Sequence, residues 1–204
     1  AGVVMSSLFR TPSFRGWSAT VLHKPHSDRD AVCRQLDRLG IAVSTAWPEL
    51  PEEARQADLV IFDADAGHDA QFPWPVEEHP MPMIALMGSE APGRVEWAIR
   101  RGAIAHLSKP IASSGVYGAL VVATRTFAMR RASEERIAKL EARLACRPQV
   151  AEAILLLMQH QGSDADTAYK LLQDMAMASR QTMEDVALDL LARSGGQNAG
   201  RREA

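Results

Sequence analysis

Cysteine is scarce in this chain, and what it lacks limits what it can be. Two cysteines, Cys33 and Cys146, lie far apart with no CxxC pair and no histidine-rich neighbourhood. That excludes a disulfide framework and a zinc site, and it predicts reduced thiols in a cytoplasmic protein that needs no metal or cofactor. No apolar run approaches the roughly 20 residues that span a bilayer, and the start AGVVMSSLFR has no sustained apolar stretch after basic residues, so no membrane association is expected. An excess of one charge sign is missing as well. With 23 Lys and Arg against 25 Asp and Glu, the net charge of −2 gives no unselective attraction to nucleic acid, so any such binding must come from a local patch. There is no phosphate-cradling glycine loop and no Ser/His/Asp spacing, and the reading is of a protein that is not an enzyme.

What is present is an ordinary globular composition, 47% hydrophobic and 24% charged over 204 residues, enough for one domain of usual size and a smaller one. After a tail over 1–16, strand-like SATVLH, IAVSTAW, DLVIFDAD, PMIALMG and AIAHLSKP alternate with helical DRDAVCRQLDRLG, a short helix PEEARQA, and EAPGRVEWAIRRG. A last helix starts near Ser113. Alternation of this kind predicts an α/β, doubly wound, five-stranded parallel sheet over 17–125. Between Asp63 and the fourth strand, Pro73, Pro75, Pro80 and Pro82 remove backbone donors and restrict their predecessors, so the helix expected there is shortened or missing. Trp74, flanked by two of these prolines, reads either as an exposed partner anchor or as cover for the bare sheet face.

Asp63 at the end of DLVIFD, Gly102 and Ala103, and the pair Lys109-Pro110 make this part resemble the receiver domain of two-component response regulators. In that family the third-strand Asp accepts phosphate, an acidic pair after the first strand binds magnesium, a hydroxyl residue after the fourth contacts the phosphoryl group, and the Lys pairs with it. The resemblance places Asp63 and Lys109 in their usual roles. His23 and Lys24 stand at the acidic-pair positions, however, and Met87 at the hydroxyl position. Imidazole and ammonium in place of carboxylates remove the oxygen ligands magnesium needs. A degenerate phosphorylation site is the expectation, with Lys24 or Lys109 neutralising Asp63 as a permanent salt bridge. Asp65 and His68 read as loop caps rather than as a site.

From Ser113 to Arg147 the chain can run as one long helix, with 126–149 as a coiled-coil linker. Ile137, Leu140 and Leu144 form an apolar seam flanked by Glu134, Lys139, Glu141 and Arg143, the pattern of a two-stranded coil and hence of a homodimer. Pro148 kinks this helix or starts the next.

Over 150–194 three short amphipathic stripes follow, with apolar residues at Val150, Ala153, Ile154, Leu157 and Met158, then Ala168, Leu172, Met175 and Ala176, then Met183, Val186, Ala187, Leu190 and Leu191. The expected boundaries are Gly162 in a left-handed turn, N-cap pairs Ser163 with Asp166 and Thr182 with Asp185, and Gly195 and Gly196 ending the third helix before a tail over 195–204. AILLLM at Ala153 to Met158, Gly162, Ala168-Tyr169, Leu172, Ala176-Met177 and Asp185-Val186-Ala187 to Leu190-Leu191 make this stretch resemble the ANTAR domain, the three-helix RNA-binding module of transcription antitermination regulators. Ile154 and Leu155 stand where that family usually carries Lys then Gly. LGIAVSTAWPE, with Gly40, Val43, Trp47 and Pro48, is similar to the amidase-regulator branch of the same family.

The resemblance implies a dimeric antitermination regulator that binds the hairpins of a leader RNA. Its control would come from a ligand-sensing protein of the periplasmic-binding type rather than from phosphate. Arg147 to Arg193 carry four Lys or Arg against seven Asp or Glu, a balance of −3, so contacts to RNA rest on single groups. Candidates are Arg180 and Gln181 in the turn between helices, Gln159, His160 and Lys170, and Tyr169 for stacking, although its place near the apolar stripe favours core packing. Two other readings are a regulator that responds to phosphorylation of Asp63 and a protein-interaction module without RNA.

Overall fold

The computed structural model describes residues 12–199, with side chains to 194; the expected tails at 1–16 and 195–204 therefore fall partly outside the described residues. The chain divides into two compact units, Ala1–Arg131 and Ala132–Ala204.

The first unit is built on strands β1 (Ser18–Leu22), β2 (Ala42–Ala46), β3 (Leu59–Asp63), β4 (Met83–Met87) and β5 (Ala103–Ser108), with helices α1 (Ser27–Arg38), α2 (Pro92–Arg100) and α3 (Val116–Ala145). All strand pairs are parallel, in the order β2-β1-β3-β4-β5. β3 and β4 are buried along their whole length, which is why LVIFD and MIALM read as nearly continuous apolar runs, whereas edge strand β2 is largely exposed. Successive side chains point to opposite faces. Val21, Ile61, Ile84 and Leu86 meet Val32 and Leu36 of α1 and Leu120 and Ala123 of α3 on one face. Leu22, Val60, Phe62, Met83 and Ala85 meet Ala98 of α2 on the other.

That second face lacks a helix between β3 and β4. A 3-10 turn at Asp69–Gln71 is followed by irregular chain through the prolines, and Phe72, Trp74 and Met81 fill the uncovered sheet. Trp74 is only 3% exposed, so it covers the sheet and is not a surface anchor. PEEARQA forms the expected short helix, a 3-10 helix over Glu52–Gln56, a segment too short to propagate α-helical bonds after Pro51. The helix expected from Ser113 begins at Val116, because the chain bends at Gly115, whose φ is +103°.

The second unit holds the C-terminal half of α3 and three further helices, α4 (Arg147–Gln161), α5 (Ala165–Ser179) and α6 (Met183–Ala199). Pro148 starts a helix here, sitting in the first turn of α4 where its missing N–H is not needed. Ala153, Leu157, Ala168, Leu172, Ala176, Val186 and Ala187 form the core, as the three stripes require. Gly162 ends α4 in the left-handed region at φ +61°. The cap of α5 is a correction: Asp164, not Ser163, accepts the Thr167 N–H at 2.8 Å. An aspartate one residue closer to the helix brings a full negative charge to the helix N-terminus, which a hydroxyl lacks. The Thr182 and Asp185 pair is present, with Thr182 Oγ1 donating to Asp185 Oδ2 at 2.7 Å and accepting the Asp185 N–H at 3.2 Å. Gly195 and Gly196 do not end α6, which runs through both. Glycine permits a left-handed stop without imposing one, and each costs a helix interior only about 1 kcal/mol.

Candidate functional site

Parallel strand order places the carboxyl ends of β1, β3, β4 and β5 along one edge of the sheet, next to the point where strand order reverses between β1 and β3. Asp63, 3% exposed, lies there. Its Oδ1 accepts from Lys109 Nζ at 2.6 Å, a charge-assisted bond in a partly dry site. His23 follows β1 and is also buried, with Nε2 3.4 Å from Asp63 Oδ2. At that spacing the ring nitrogen is not aligned for a hydrogen bond. Its Nδ1 donates to the Lys24 carbonyl at 2.7 Å, which fixes the ring. Lys24 itself is exposed, so Lys109 is the lysine paired with Asp63. Met87 is buried in the apolar cluster of the second sheet face and offers no hydroxyl. All five expected residues of the degenerate phosphorylation site thus fall at the carboxyl edge of the sheet, but only the side chains of Asp63, Lys109 and His23 meet there; the Met87 side chain packs into the apolar cluster and Lys24 takes part through its backbone carbonyl.

Asp65 belongs to this site, contrary to the expectation that it serves only as a loop cap. Its N–H donates to Asp63 Oδ1 at 3.0 Å, and its carboxylate accepts from Lys109 Nζ at 3.0 Å, from the Gly88 N–H at 2.8 Å and from the Ser89 N–H at 3.3 Å. Burial acts to raise the Asp65 pKa. Lys109 and the two amides outweigh it and hold this carboxyl below its ordinary range. Nothing in the spacing of DAD separates this role from that of a turn residue, since Gly88 is more than twenty residues away. Asp28, also unforeseen, accepts the Ile111 N–H at 2.8 Å and ties the first turn of α1 to the segment following Lys109.

In the second unit the expected RNA contacts are all exposed, but they do not converge. Gln159 and His160 lie at the end of α4, beside the start of α5, whereas Arg180 and Gln181 follow the end of α5. A 15-residue helix is about 20 Å long, so these are two sites at opposite ends of α5, with Lys170 and Tyr169 nearer the first. Tyr169 is 47% exposed, which corrects the expectation of core packing: the buried phase of α5 is Ala168, Leu172 and Ala176, one position away. Arg180 closes α5 with φ +55°, the one non-glycine residue at positive φ among the described residues. Its N–H bonds to the carbonyls of Ala176 and Met177, which fixes where the side chain starts.

The turn from Arg180 to Asp185 adjoins a groove of about 620 Å3 lined by Arg136, Lys139, Leu140, Ala142, Arg143 and Cys146 of α3 and by Thr182, Glu184 and Asp185. Three cations face two carboxylates, with Arg143 Nε 4.0 Å from Glu184. Charge counted from Arg147 onward misses this strip, because the cations come from the preceding helix. Ile137, Leu140 and Leu144 are about half exposed. At 100° per residue they lie roughly 90° round α3 from the line of Arg136, Lys139 and Arg143, so an apolar and a basic stripe run side by side.

Among the described residues no helix is long and apolar enough to cross a membrane, and no group of three or more His, Cys, Asp or Glu is placed to hold a metal ion.

A parallel five-stranded sheet with an Asp–Lys pair at its carboxyl edge, followed by a long helix and a small helical module, defines a regulatory protein with a receiver-like domain. Residues 17–124 match the family described as AmiR, N-terminal, and residues 138–191 match the ANTAR domain. The chain belongs to the AmiR N-terminal family and carries an ANTAR domain. It is 33% identical over 139 residues to the transcriptional regulatory protein PdtaR of Mycobacterium tuberculosis, in strains CDC 1551 and H37Rv alike, covering 66% of this chain and 67% of the relative. Among solved structures it is similar to full-length FixJ from B. japonicum, with 16% identity, 89% of this chain and 98% of that one covered, and a TM-score of 0.42. Another is the receiver domain of a modulated diguanylate cyclase from Desulfovibrio desulfuricans G20, with 18% identity, 56% and 98% covered, and a TM-score of 0.44.

Proposed function

We propose that this chain is a transcription antitermination regulator that works as a dimer, binds leader RNA through its C-terminal module and answers to a protein partner instead of phosphate. The observation that carries the reading is the ANTAR match over residues 138–191, on a module whose three helices share one core. RNA contacts are assigned to the turn at Arg180 and Gln181 together with Arg136, Lys139 and Arg143. Arg136, Lys139 and Arg143 line one groove in a module that is otherwise acidic, and Thr182, next to that turn, lines it too. Gln159, His160, Lys170 and Tyr169 form a second, separate polar end, suited to stacking and hydrogen bonding with an unpaired base. Dimerisation through Ile137, Leu140 and Leu144 would present two modules and raise affinity for paired hairpins through effective concentration.

Control by a ligand-sensing protein of the periplasmic-binding type, acting in the cytoplasm, is supported by the family match of the first unit and by the state of its acidic edge. Asp63 is already paired with Lys109, and His23 occupies the place of a metal-binding carboxylate. Sequencing the RNA crosslinked to the protein in its own cells tests the reading. Enrichment of leader segments with two adjacent hairpins is the expected result. Recovery of RNA no different from a crosslinked control protein would instead favour a protein-interaction module.

A further inference from the structure

The backbone amides of Gly88 and Ser89, where the chain leaves β4, and the ammonium of Lys109, where it leaves β5, converge on one point. Three donors so arranged make a nest for an oxyanion. An Asp65 carboxylate oxygen lies 2.8 Å from the Gly88 nitrogen and another 3.3 Å from that of Ser89, while Lys109 Nζ stands 3.0 Å from Asp65 Oδ2. Asp65 is held in this pose from behind by its own N–H, bonded to Asp63 Oδ1 at 3.0 Å. Glycine at 88 also leaves room for this approach, since a Cβ there would stand 3.1 Å from Asp65 Oδ2 and push the carboxylate back by a few tenths of an ångström.

We infer that Asp65 is a tethered ligand: its carboxylate fills the oxyanion nest of Gly88, Ser89 and Lys109, so the loop after β4 is held permanently in an anion-bound conformation. A free oxyanion competing for the nest meets two obstacles. The donors are taken, and Asp63 and Asp65 together outnumber the single cation between them, so an added anion is repelled. Phosphate-independence then has a second cause besides the missing magnesium ligands, and the state imposed on the loop is fixed by the fold. The inference rests on the phosphorylation-independent reading above, but its readout involves neither RNA nor a partner protein.

Amide exchange of the full chain, followed residue by residue by NMR, provides the test. Asp65→Ala should speed exchange at Gly88 and Ser89 by about tenfold or more, the scale of a hydrogen bond to a charged group. Asp65→Asn keeps the size and loses the charge, and it should speed exchange at both amides by a smaller factor; if the alanine variant does not fold, this variant decides. Beryllofluoride with magnesium should leave the wild-type resonances of Gly88 and Ser89 where they are. Unchanged exchange at both amides in the substituted chains would overturn the tethered ligand and leave phosphate-independence standing. A beryllofluoride-induced shift in the wild type would overturn both.

Discussion

The Arg101 guanidinium lies over the ring of Phe72, its central carbon 4.0 Å from the ring centroid, and an Nη of the same group donates to the Trp74 carbonyl at 3.2 Å. Arg101 is 2% exposed, an unusual position for this residue, and it replaces part of what a helix would have supplied on that sheet face. Arg101→Ala should cost about 2–4 kcal/mol in urea denaturation, through a cavity and an unpaired carbonyl. Arg101→Met, which keeps the apolar stem against Phe72 and removes a buried charge, should cost clearly less. Equal losses in the two variants would show that packing of the stem contributes nothing.

Acid should weaken the first unit in a way that depends on Asp65. Its folded pKa lies below its unfolded one, so the stabilisation is complete above the unfolded carboxylate value of about 4 and is lost as pH falls through the folded value. Asp65→Asn removes that part. The stability gap between wild type and variant, read from thermal melts, should therefore narrow below about pH 4, and a gap that widens on acidification would contradict the assignment.

Leu144→Glu should convert a dimer to monomers in sedimentation velocity, because a charge in the seam of Ile137, Leu140 and Leu144 cannot be desolvated cheaply. Leu144 does not line the basic groove, so the substitution leaves the proposed RNA surface in place. An unchanged dimer mass would move the interface off this helix.

Substitutions at Arg180 separate fold from recognition. Arg180→Gly relieves a left-handed backbone at φ +55° and should raise stability by up to about 1 kcal/mol, whereas Arg180→Ala should not. Both should weaken binding to a two-hairpin leader by about 1–3 kcal/mol in filter binding. Retained affinity in both variants would remove Arg180 from the interface.

Much of this architecture was legible in the sequence for local reasons. Period-two and period-3.6 apolar patterns mark strands and helices because each element must bury one face, and prolines forbid a helix because their ring and missing N–H act within a few residues. Hence the five strands, the absent helix after β3, the left-handed Gly162 and the Thr182–Asp185 cap could be read directly. Asp63 and Lys109 were legible through resemblance. What the chain order could not carry was convergence between distant segments. Asp65 becomes a ligand of Gly88, Ser89 and Lys109 only because parallel strands bring three loops to one edge of the sheet, and Arg101 becomes a core residue only because the proline-rich segment leaves space over Phe72. Likewise the basic strip of α3 meets the Thr182–Asp185 turn, while Gln159 and Arg180 end up on opposite ends of α5. Local pattern set the elements; packing decided which polar groups lost their water and had to find each other.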